Sequence, residues 1–120
     1  MKTINLEAAF ASFDATWTPH VAAELNGQQV KLAKLEGAFV WHDHADEDEL
    51  FWVVRGRLRI ELREREPIVL EAGEIAVVPR GVEHRPVAEP TAHVVLFEPA
   101  ATKHTGDVET DRTVHVAPRL

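Results

Sequence analysis

The 120-residue sequence contains no cysteine. That absence removes disulfides, thiolate zinc sites and cysteine nucleophiles together, and the fold cannot depend on an oxidising compartment. No apolar run approaches the roughly eighteen residues of a membrane span. Near the N-terminus, Glu7 and Asp14 interrupt what would have to be an apolar signal core, so a cytoplasmic protein is expected. A basic stripe is missing too: Arg55, Arg57, Arg59, Arg63 and Arg65 are interleaved with Glu61, Glu64 and Glu66, and the net charge is −7. Nucleic-acid binding is excluded on that pattern. There is no phosphate-binding glycine loop, no repeat, no linker and no low-complexity tract.

What is present reads as one globular domain over residues 1–120, with 45% hydrophobic and 28% charged residues. Asn5 can cap a short helix, about 5–14, that sets Leu6, Ala9, Phe10 and Phe13 on one stripe. From about 19 to 99 the chain alternates short strand-like runs with turn signals. Asn26-Gly27 predicts a hairpin between strands near Val21–Leu25 and Gln28–Leu32. Further strands are expected at Glu49–Val54, Arg57–Leu62, Ile68–Leu70, Ala92–Phe97 and an all-apolar, buried Ile75–Val78. Residues 100–120 read as a surface arm with one strand near Thr113–Val116. Many short strands and almost no helix indicate an all-β antiparallel barrel or sandwich.

Two stretches carry chemistry. His42 and His44 are two residues apart, so on a strand both imidazoles leave one face. Ala45–Asp48 suits a hairpin loop, which would set His44 opposite Glu49 and bring the carboxylate to the same face. Two histidines and a carboxylate form the arrangement used for non-haem iron. A fourth ligand must come from elsewhere, and His84, re-entering after the Pro79-Arg-Gly81 turn, is the best candidate. Four such groups buried without a cation would cost ~1–3 kcal/mol for each one left unpaired, which favours a metal over a plain polar cluster. Three nitrogens and one oxygen suit one divalent transition metal: iron, manganese, nickel, zinc or copper. Val40, Phe51, Val53, Leu58 and Ile60 are the expected wall of a small-molecule pocket. His93, on a strand in phase with Val95 and Phe97, is a candidate for proton transfer, with core packing or surface as the alternatives. His20, His104 and His115 have no partner spacing and read as ordinary histidines. Trp41 and Trp52 are out of phase with the ligands and read as exterior or subunit-contact residues; Trp17 fits either setting.

These residues also resemble a known family. Gly37 through Gly56, with His42-x-His44 and Glu49 between, resembles the first cupin motif. Gly73-x5-Pro79-x-Gly81-x2-His84 resembles the second, although Ala88 stands where the family often has asparagine. The flanks resemble small uncharacterised cupins of the mannose-6-phosphate-isomerase-like type. The resemblance implies a double-stranded β-helix, or jelly-roll barrel, and a metal held by His42, His44, Glu49 and His84. It implies a dioxygenase, an isomerase or epimerase, or a lyase acting on a small metabolite, with a non-catalytic ligand-binding module as the alternative. It also implies a homodimer, for which the N-terminal apolar stripe and outward tryptophans supply surface.

Overall fold

The computed structural model describes residues 1–102, 104–106 and 117–120. The elements run α1 (Leu6–Ala11), β1 (His20–Leu25), β2 (Gln28–Ala38), β3 (Glu49–Leu62), β4 (Arg65–Glu71), β5 (Ile75–Val78) and β6 (His84–Pro99). All strand pairs are antiparallel, in the order β1-β2-β6-β3-β4, with β5 pairing β3. The expected all-β jelly-roll fold with a short N-terminal helix is what forms. The expected strand near Thr113–Val116 lies outside the described residues.

Two long strands roll this sheet into a sandwich. β3 and β6 stay paired from Leu50↔Phe97 to Leu62↔His84, and their register shifts near Gly56. There the chain bends without turning, so the two strands expected on either side of Gly56 are one. Gly56 has φ +85°, and a Cβ at this position would meet the Thr91 carbonyl oxygen at 2.2 Å. Glycine allows both the left-handed backbone and the close strand contact. β5 pairs the first half of β3 and β4 the second, so the bend gives β3 a place in both layers.

Alternation then fills the interior. Phe51, Val53, Leu58 and Ile60 from β3 meet Leu35, Leu70, Val94 and Leu96 in the main core. Each such side chain contributes about 1.5–3 kcal/mol on full burial. On the outer face, Phe10 packs on Leu32 and Val95, with Leu6, Ala9 and Phe13 around it. The helix therefore uses the stripe expected of it, and the Asn5 side chain accepts from the Ala8 N–H at its start. β5 differs from expectation. Its apolar run is not enclosed: Ile75 is 62% and Val77 53% exposed, because β5 pairs only β3 and nothing among the described residues covers its outer face. Among the described residues no helix is long and apolar enough to cross a membrane.

Candidate metal centre

Residues 39–48 are loop rather than strand, apart from a bridge between His42 and His84. The predicted His44–Glu49 hairpin ladder is therefore absent; Glu49 instead pairs Val78 on β5. What gathers the donors is backbone clamping of the two sequence stretches. His42 and His84 exchange N–H···O bonds of 3.0 and 2.9 Å, and the Gly81 N–H donates to the His44 carbonyl at 2.8 Å. At the rim, the Arg80 backbone N–H and guanidinium both donate to the Asp48 carboxylate, at 2.9 and 3.3 Å.

The result is a closed ring of donors. One ligand atom from each of His42, His44, Glu49 and His84 lies within 4.8 Å of the others, and all four side chains are buried. Glu49 Oε1 lies 3.3 Å from His44 Nε2 and 3.6 Å from His84 Nε2. His42 Nδ1 donates to the Val40 carbonyl and His84 Nδ1 to the Val82 carbonyl, both at 2.9 Å. A carbonyl only accepts, so in each ring the proton sits on Nδ1 and the Nε2 lone pair is free for the interior. This is how ligating imidazoles are usually oriented.

The electrostatics agree with that arrangement. Burial and the neighbouring His84 pull the His42 pKa down to about 4, so its ring is neutral at pH 7. Burial alone would raise Glu49. The polar groups of His44, His84 and Glu98 beside it outweigh that effect and hold the carboxyl well below its usual range. His84 Nε2 and Glu49 Oε1 are fully enclosed and meet no hydrogen-bond partner of good geometry. Imidazole nitrogens of His42, His44 and His84 and one carboxylate oxygen of Glu49, gathered within 4.8 Å in a buried setting, fit a divalent transition metal.

The family comparisons agree with this geometry. The cupin domain family matches residues 28–98. The chain belongs to the cupin family. Its curated relative YdbB of Bacillus subtilis, described as uncharacterised, is 41% identical over 63 residues. That match covers 52% of this cupin and 56% of YdbB, so the chain spans little more than half the length of the curated relative it matches. Among solved structures, a cupin-2 domain protein of Shewanella frigidimarina is 48% identical with a TM-score of 0.78, over 80% of this chain and 93% of that one. Hydroquinone 1,2-dioxygenase of Sphingomonas with bound 4-hydroxybenzoate shares the fold at 20% identity and a TM-score of 0.69, over 79% of this chain and 72% of its own.

Beside the donors the cupin has a cavity walled by Trp17, Phe39, Phe51 and Leu96, into which His42 and Glu49 face. Of the five residues expected to form the wall, only Phe51 does. Val53, Leu58 and Ile60 face inward as anticipated but are 0% exposed, interlocked in the core away from the opening. Val40 lies in the loop and contributes its carbonyl to His42. His93 is elsewhere: it stacks on Phe10 at 4.7 Å in a separate cleft with Lys34 and Arg55 beneath α1. The expected phase with Val95 and Phe97 is correct, but that phase is the outer face of β6, and Val94 and Leu96 take the inner one. Burial, then Lys34 and Arg55, lower the His93 pKa.

The site also includes residues that sequence reasoning passed over. Trp17 stacks on Phe39 at 4.4 Å and lines the cavity. His104, read as an ordinary histidine, lines it too. Behind Glu49 lies a buried pair: Lys31 Nζ donates to Glu98 at 3.0 Å and to the Thr102 carbonyl at 3.2 Å. Lys31 and Glu98 meet diagonally across β2 and β6, where Lys31 pairs Leu96 and Gln29 pairs Glu98, a register no local spacing reveals.

Proposed function

We propose that this cupin is a metal-dependent enzyme acting on a small metabolite, with one divalent transition metal held by His42, His44, Glu49 and His84. The supporting observation is that the donor ring borders an apolar cavity: His42 and Glu49 form part of its wall, so a ligand has access to the centre. A purely structural site would be closed on every side. Bound there, such an ion supplies Lewis-acid polarisation of a substrate oxygen.

The chain's own residues do the rest. Trp17, Phe39 and Phe51 exclude water from one side of the centre and present flat apolar surface to the body of a ligand. The cavity encloses about 370 Å³, open mouth included, which restricts the substrate to one ring or a short chain.

The test starts from protein purified without added metal or a nickel column and reconstituted separately with iron(II), manganese, nickel and zinc. Small keto acids, diols, phenols and sugar acids are then screened for turnover. Turnover that requires one metal and disappears in a folded His84→Ala variant is the expected result. Tight binding of one compound with no turnover under any metal would replace the enzyme with a ligand-binding module.

A further inference from the structure

We propose that Thr102, His104, Thr105 and Gly106, which follow the last strand, build a wall of the cavity and that His104 is its ligand-contacting residue. It would select small planar acids or phenols that carry a second polar group. The proposal rests on the metal reading above and specifies the substrate class of that site.

The segment is fixed at both ends. The Thr102 carbonyl accepts from the buried Lys31 ammonium at 3.2 Å. Gly106, with φ +60°, lies so close to the loop between His42 and His44 that a Cβ would meet the Asp43 carbonyl oxygen at 1.9 Å. Thr102, His104, Thr105 and Gly106 are all buried. His104 therefore sits between two anchor points on the same machinery that positions the donors. Its ring packs 5.3 Å from Phe39, whose ring also meets His42 edge-on at 5.7 Å. One aromatic ring thus separates His104 from the metal centre.

The chemistry of the wall points to its ligand. Among the described residues, only His42, Glu49 and His104 bring polar side chains to the cavity lining, and the rest is apolar or aromatic. His42 and Glu49 belong to the metal centre, and His104 adds a polar side chain to the lining outside that centre. Trp17 and Phe39, stacked on each other at 4.4 Å and 10° apart, make this side of the cavity aromatic, which suits a planar ligand body. An apolar pocket with one placed polar group discriminates mainly through that group. The fitting ligand has an oxygen for the metal at one end and a hydroxyl or carbonyl within reach of His104.

Benzoate and 4-hydroxybenzoate form a matched probe pair, since both carry a carboxylate for the metal and one adds the distal hydroxyl. Metal content is measured first, then binding of both compounds to the metal-loaded wild type, His104→Leu and His104→Gln. Wild type should bind 4-hydroxybenzoate roughly tenfold more tightly than benzoate, the loss expected for one hydrogen bond. His104→Leu should keep its metal and abolish the preference, and His104→Gln should restore part of it. Equal preference in wild type and His104→Leu, or no binding of either acid to metal-loaded protein, overturns the proposal while leaving the metal reading intact. Wild type that takes up no metal overturns both.

Discussion

Glu98 and Glu49, two buried carboxyls on the paired strands β6 and β3, lie beside each other inside the barrel. Burial and the Glu49 charge push Glu98 well above the usual carboxylate range, while Glu49 is held below it. Glu98 Oε2 is enclosed and meets no N–H or O–H donor, a setting that suits a protonated carboxyl beside the Glu49 carboxylate. Its other oxygen accepts from Lys31. The order Lys31, Glu98, Glu49 thus fixes one metal donor from behind.

Glu98→Gln should preserve this chain, because the amide offers an acceptor to Lys31 and a donor to Glu49 in the same places. Metal affinity is expected to stay within about threefold of wild type. Glu98→Ala should lower metal affinity about 10–100-fold. It should also destabilise the fold by about 3–5 kcal/mol, since it strands a buried ammonium. Metal titration and urea unfolding of both variants check this.

Lower pH should destabilise the metal-free protein through His42. Its folded pKa of about 4 lies below the unfolded value of 6.5. The unfolded chain therefore binds more protons between those limits, and the contribution is complete above pH 6.5 and lost as pH falls towards 4. The slope is at most ~1.4 kcal/mol per pH unit. Glu98 acts in the opposite sense, its contribution declining as pH rises, so the measurement is a difference. Wild-type stability minus that of His42→Gln, from denaturant unfolding, should shrink between pH 7 and 5.

Metal retention should separate the histidines. His44→Ala removes a donor within the enclosed ring and should release most of the metal during dialysis. His20→Ala, whose ring stacks on Phe13 at 4.0 Å on the outer face, should keep it. Elemental analysis of the dialysed proteins decides the point, and equal loss in both would remove the ligand assignment.

The outer face of β3 and β5 aligns Leu50 with Val77 and Trp52 with Ile75. Ile75, Val77 and Trp52 are 62%, 53% and 39% exposed, an apolar strip suited to a second copy of the chain. Light scattering should give about twice 13.4 kDa for wild type and the monomer mass for Ile75→Lys/Val77→Lys. A wild-type mass of 13.4 kDa at micromolar concentration would end the idea.

The four donors were legible because each lies in a short stretch whose residue types and spacings survive any loop conformation. How they meet was not: the expected ladder between His44 and Glu49 is a loop clamped by His84 and Gly81. Strand phase identified the inward faces of β3 and β6 but not their polarity or their distance from the opening, hence the placements of His93, Leu58 and Ile60. Lys31, Glu98 and His104 reach the site through long-range register or an irregular segment. Neither leaves a period in the sequence, and a buried lysine paired across strands reads locally as a surface one.

Gly106 against Asp43 has a consequence for how the site fills. Asp43 lies between two of the donors, so whatever firms that loop also firms His104, Thr105 and Gly106, and by reciprocity a ligand that presses these residues inward holds the loop more firmly around its ion. Hydrogen exchange of the Thr105 and Gly106 amides would then act as a gauge of the centre's occupancy, read from backbone that coordinates nothing.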